Sequence, residues 1–235
     1  MDAKVSGEVV GERATASGLT YLKEVSHIKH RIPEKYLPPW AIKLGSSGSP
    51  LCYVDCYAGP GRYRDRGGIV PGSPLIAVET AKAYCAGSPH RMMHVILMGK
   101  NARQVARLTG HLAPLQPYPA NVRVSVRAED SALVVPNLLA RMPATYPAFF
   151  MIDPYGHPLS VPTINDMLRR GKSEVFVNLM YYRIHMDVKN LAEQPLCWPL
   201  RISVRVQRQF DVTSGSATRC QRAAGLCGGF ATALR

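Results

Sequence analysis

The chain has 235 residues, 46% of them hydrophobic and 19% charged, with a formal net charge of +13. That suffices for one domain with a sizeable core and excludes a disordered chain. No apolar run approaches the roughly 20 residues of a membrane helix, and the acid-containing N-terminus lacks a signal-peptide core, so the expected location is cytoplasmic.

The basic charge points to an anionic partner, for which nucleic acid is the usual candidate. It is unevenly placed. Between Leu196 and Arg235 stand six arginines, no lysine and a single acid, Asp211, so this tail supplies +5 of the +13. The six cysteines show no metal spacing and imply no disulfide framework; Cys52 and Cys56 read as small buried residues at a strand end. No metal ligand set is expected.

Residues 1–18 are polar and without period, a flexible leader. From Leu19 to about Leu44 apolar residues recur at helical spacing, and Pro33, Pro38 and Pro39 are expected to break the run into two or more helices. Leu51–Asp55 is a short apolar strand. Its loop, Ala58-Gly59-Pro60-Gly61, continues through Gly67–Pro74. A helix over Leu75–Cys85, a strand over His94–Met98 and a helix over Asn101–Leu112 follow. Then come a strand at Val122–Val126, a helix at Ser131–Met142 and an apolar strand at Ala148–Asp153. A helix at Val161–Arg170 and a strand at Glu174–Met180 complete the pattern.

Strand and helix thus alternate five times. The pattern predicts an α/β fold over residues 19–191, a doubly wound and mostly parallel sheet, with ligands beyond the carboxyl ends of its strands. A helical N-terminal extension precedes it. Residues 192–235 form an irregular basic tail. Ile202–Val206 reads as a strand there, and the remainder has no period. A reading-frame shift in the source gene, or a flexible basic tail, accounts for that composition, and both imply poor order.

Four places on this frame bear on chemistry. The first is Asp55 with Ala58, Gly59 and Gly61. The acid ends the first strand, and the glycines allow backbone to approach a ligand; a tight turn alone would also use them. The second is Asp153-Pro154-Tyr155 at the end of the fourth strand. An acid followed by proline and an aromatic resembles the Asp-Pro-Pro-Tyr motif of amino-methyltransferases. There an acid and a carbonyl accept hydrogen bonds from a target amino group and the aromatic stacks on the base. Asp153 as a helix N-cap is the alternative. The third is Glu129-Asp130 after the third strand: in methyltransferases an acid here meets the adenine amino group, and an acid ahead of a helix at Ser131 is also an ordinary cap. The fourth is an absence. Met98-Gly99-Lys100-Asn101 offers no carboxylate for ribose hydroxyls, leaving Asn101 one weaker contact.

Together these segments resemble the three-Cys-motif partner proteins (TcmP). The matching pieces are His27-Ile-Lys-His30 with Tyr36-Leu37 and Trp40, Tyr53-Val-Asp-Cys-Tyr-Ala-Gly-Pro-Gly-Arg-Tyr63, and Gly72-Ser-Pro-Leu-Ile76. Phe150-Met-Ile-Asp-Pro-Tyr-Gly156 and Glu174-Val-Phe-Val-Asn-Leu-Met-Tyr181 complete the five, which run in order over residues 25–187. The resemblance implies a class I methyltransferase-like, Rossmann-like fold and S-adenosylmethionine as cofactor. It also implies a neighbouring three-cysteine, radical-enzyme-like protein as partner. Two positions depart from the family: Gly99 replaces an acid and Cys56 a glycine.

These readings lead to an S-adenosylmethionine-dependent methyltransferase acting on a nucleic-acid amino group. Asp55, Ala58, Gly59, Gly61, Asn101 and Asp130 would hold the cofactor, and Asp153, Pro154 and Tyr155 would orient the acceptor. Lys29, Arg62, Arg64 and Arg66 are candidates for phosphate contacts. A non-catalytic partner subunit and a basic nucleic-acid-binding module are the alternatives. If the missing ribose acid is the only defect, Gly99→Glu raises cofactor affinity.

Overall fold

A computed structural model describes residues 20–21, 24–154 and 159–178, with side chains over 29–154 and 159–178. The leader, Tyr155, His157, His185 and the basic tail lie outside the described residues. The elements in chain order are β1 (Thr20–Tyr21), α1 (Glu24–Gly45), β2 (Leu51–Asp55), β3 (Arg62–Asp65) and β4 (Gly68–Pro71). They continue with α2 (Ser73–Ala86), β5 (Met93–Met98), α3 (Ala102–Leu112), β6 (Val122–Arg127) and α4 (Ser131–Arg141). The last are β7 (Ala148–Ile152), α5 (Val161–Arg169) and β8 (Ser173–Val177).

Five strands form one wholly parallel sheet in the order β6-β5-β2-β7-β8. The chain builds outward from β2 through β5 to β6, then crosses back to lay β7 and β8 on the other side. This is the 3-2-1-4-5 order of a Rossmann-like sheet, and the direction reverses between β2 and β7. All five residues of β2 and of β7 are buried, which is why both read as unbroken apolar runs: each has helices on both faces.

The strand alternation sends side chains into two cores. Leu51, Tyr53, Val95, Leu97 and Met151 pack with Leu37 and Trp40 of α1, Val78 and Ala81 of α2 and Leu108 of α3. Cys52, Val54, Phe150 and Ile152 face the other way, onto Val134 and Val135 of α4 and Met167 of α5. Phe150 is 0% exposed. Phe150→Ala is expected to cost about 3–5 kcal/mol, because the two helices above it cannot both collapse into the void; urea denaturation checks this.

Two sequence expectations are corrected. The three prolines do not break α1, which is one helix of 22 residues. Proline removes the hydrogen bond to the carbonyl four residues back. For Pro38 and Pro39 those carbonyls belong to Glu34 and Lys35, which are exposed and reach water. Meanwhile Leu37, Trp40 and Ala41 keep the same helix face in the core. The second correction lies between Asp55 and α2. What reads as a continuous loop contains a hairpin, β3–β4, joined by Arg66-Gly67 and paired Arg62↔Pro71 to Asp65↔Gly68. With β1 alongside β3 it makes a separate three-stranded sheet.

Candidate functional site

The carboxyl ends of β2 and β7 stand side by side at the switch point and carry Asp55 and Asp153. Asp55 is turned inward and only 1% exposed. Its Oδ2 accepts from Ser73 Oγ at 2.7 Å and Tyr53 Oη at 3.3 Å, and its Oδ1 from the Tyr57 N–H at 3.1 Å. Burial raises its pKa to about 6; the Ser73, Tyr57 and Tyr53 donors oppose that rise, and the charge of Asp153 adds to it. Asp55 therefore staples the loop to the start of α2.

The glycine loop leans across the sheet toward β5 and α3. The Ala58 N–H bonds to the Met98 carbonyl at 2.8 Å, and the Pro60 carbonyl accepts from His111 Nδ1 at 2.6 Å. Gly61 has φ +87°, and a Cβ there would lie 2.7 Å from Leu75 Cδ1 and 2.8 Å from Leu108 Cδ1, so glycine is required. At Gly99 a Cβ would stand 3.0 Å from the Ala58 carbonyl oxygen and 3.1 Å from Val105 Cγ2. A side chain at Gly99 would thus require one of these neighbours to give by a few tenths of an ångström.

Asn101 and Asp130 cap helices. Asn101 Oδ1 accepts from the N–H groups of Arg103 and Gln104, opening α3. Asp130 Oδ1 accepts from the Ala132 N–H, opening α4, and its Oδ2 lies 3.1 Å from Lys100 Nζ. The Ala132 N–H, then Lys100, hold its pKa below the usual range. Glu129 is exposed and faces Arg127 at 3.7 Å.

Asp153 does not cap α5; Ser160 does, accepting from the Thr163 N–H at 3.3 Å. Its Oδ1 instead takes Lys29 Nζ at 2.9 Å and the Asn178 side-chain amide at 2.5 Å. Lys29 is therefore a partner of Asp153 in the folded chain. Pro154 is buried; Tyr155 lies outside the described residues. The sequence reading missed Asn178, although it sits one residue past β8 and so tops its strand as Asp55 and Asp153 top theirs. Cys52 and Cys56 are buried as expected, Trp40 is buried too, and burial pushes the Cys52 thiol up to about 11. His30 lies against Tyr63, ring centroids 5.0 Å apart.

A cleft of about 380 Å³ opens elsewhere, between Lys43, Ser47, Pro147 and Lys172. It lies at the amino ends of β7 and β8, the wrong end of an open parallel sheet for a ligand. No helix among the described residues is long and apolar enough to cross a membrane.

No family model and no curated protein matches the chain. Among solved structures it is similar to protein LPL1258 from Legionella pneumophila str. Philadelphia 1, of the family DUF519, at 17% identity and a TM-score of 0.36. The match covers 55% of this chain and 56% of that one, little more than half of each. A likeness so distant carries no functional weight, and the fold follows from this chain's own strand order: a Rossmann-like α/β protein with its crest of polar residues at the β2–β7 switch point.

Proposed function

We propose that the chain is an S-adenosylmethionine-dependent methyltransferase of the three-Cys-motif partner kind, acting on an amino group of a nucleic acid. The observation that carries this is the position of Asp153: it tops the strand beside the switch point, with Oδ1 anchored and Oδ2 unbonded among the described residues. A carboxylate held in that way accepts a hydrogen bond from an amino nitrogen and turns its lone pair toward a reaction partner.

The residues fit the cofactor at two ends. The backbone of Ala58, Gly59 and Gly61 would take its amino-acid end, and Asp130 Oδ2, now on an exposed lysine, its adenine amino group. The ribose would meet backbone at Gly99 and the Asn101 amide nitrogen, since Asn101 Oδ1 is committed to the helix cap. Bound S-adenosylmethionine supplies an electrophilic methyl group. The chain's own share is positioning, worth on the order of 100-fold for small displacements of the acceptor. Asp153→Asn is therefore expected to leave cofactor affinity nearly unchanged in calorimetric titration, while lowering methyl transfer to RNA by on the order of 100-fold. Equal transfer by both proteins removes Asp153 from the site.

A second reading is a non-catalytic subunit that partners a three-cysteine protein. It is favoured by the Lys29 ammonium already seated on Asp153 and by the crowding at Gly99. An absence of heat at millimolar cofactor makes it the leading one.

A further inference from the structure

The hairpin β3–β4 stands between Asp55 and α2, where an open α/β sheet needs only a short turn. Its register sorts the side chains into two faces. Tyr63 pairs with Val70, and this face turns inward. The Tyr63 ring lies against His30, and its hydroxyl fills the space a side chain on Gly59 would need. Arg62 pairs with Pro71 and Arg64 with Ile69 on the opposite face. There Arg64 is exposed, as is Arg66 at the turn, and Ile69 is 53% exposed.

Among the described residues no carboxylate forms an ion pair with the side chain of Arg62, Arg64 or Arg66, although Asp65 Oδ1 accepts from the Arg66 backbone N–H; Arg127 and Arg169 each have an ion-pair partner. Two residues along a strand span about 6.8 Å, so Arg62 and Arg64 set out positive charge at that step, and Arg66 adds a third charge at the turn. Such spacing suits a chain of repeated charges, and the exposed Ile69, opposite Arg64 on β4, offers apolar contact to a sugar or base. The helix α1 ties this hairpin to the crest through adjacent residues: Lys29 on Asp153 and His30 on Tyr63.

We propose that the outward face of β3–β4, carrying Arg62, Arg64, Arg66 and Ile69, docks the phosphodiester backbone of a nucleic acid and brings it alongside Asp153. The purpose of docking rests on the methyltransferase reading; the docking itself does not, and it is measured without cofactor.

The test is anisotropy of a labelled single-stranded RNA, about 20 nucleotides long, with the full chain across a salt series. Arg62→Gln/Arg64→Gln/Arg66→Gln should weaken binding about 10-fold or more at low salt and lower the salt slope by roughly 2, at about 0.7 per lost phosphate contact. Arg64→Glu/Arg66→Glu keeps the half-buried Arg62 and should act in the same direction, should the triple variant fail to fold. Arg201→Gln/Arg205→Gln/Arg208→Gln in the tail should change both quantities less. Unchanged affinity and slope in the hairpin variants overturn the proposal, as does equal competition by polyglutamate of matching charge, which would make the partner an acidic protein. RNA binding through the hairpin without any cofactor heat would sink the methyltransferase reading and leave this one standing.

Discussion

Asp55→Asn is expected to remove a pH dependence of folding worth about 3 kcal/mol between roughly pH 4 and 7. The carboxyl is buried, and its pKa is raised from 3.8 to about 6. Between those values the folded chain holds a proton that the unfolded chain releases. Stability from this group is therefore greatest below about pH 4, falls as pH rises toward 6, and stays low above it. Asparagine carries no such charge, and the Ser73 hydroxyl can turn to accept from its amide. Denaturant midpoints of the two proteins should diverge on the acid side in favour of the wild type and draw together, or cross, near neutrality. A constant difference across that range would mean that Asp55 titrates as an ordinary surface acid. Asp55→Ala behaves differently: it strands the Tyr57 N–H and two hydroxyls, at roughly 1–3 kcal/mol for each buried group. Loss of ligand binding in the alanine variant would then report a damaged loop and say little about direct contact.

Gly99→Glu is expected to destabilise the fold by about 1–3 kcal/mol without raising affinity for S-adenosylmethionine. From sequence alone this substitution is a restoration. In the folded chain the new Cβ meets a backbone carbonyl, Ala58 O at 3.0 Å, and Val105 Cγ2 at 3.1 Å. The carbonyl belongs to a loop pinned at the Ala58 N–H by Met98 and at Pro60 by His111, so relief requires moving a braced segment. Thermal unfolding with and without cofactor checks both halves. A gain in affinity would show that the loop readily leaves Gly99 and that the ribose corner is open in solution.

The five-stranded sheet was legible in the sequence because its central strands are apolar throughout. Leu51–Asp55 and Ala148–Ile152 are bounded as read, to within a residue. The cap at Asp130 was visible as an acid ahead of a helix, and what sequence could not decide was whether its oxygens faced helix or ligand; Asn101, read as the first residue of its helix and a ribose contact, proved to be the cap. The hairpin went unread because its alternation is weak: Arg-Tyr-Arg-Asp against Gly-Ile-Val-Pro offers one apolar face of two side chains, although Gly67-Gly68 marked the turn. The pairing of Lys29 with Asp153 spans 124 positions in the chain, and no local pattern encodes it. Asn178 was passed over for a similar reason: its meaning comes from standing level with the ends of β2 and β7.

Pro33 gives α1 a mechanical division. It has no N–H to offer the carbonyl of Lys29, four residues earlier, so the helix ladder is interrupted at the residue that holds Asp153. Beyond this point Leu37, Trp40 and Ala41 clamp the helix to the core. Before it, Lys29 and His30 bind the crest and the hairpin. The contacts to Asp153 and to the hairpin thus both leave α1 from neighbouring residues on the amino-terminal side of Pro33, within a helix that runs on unbroken.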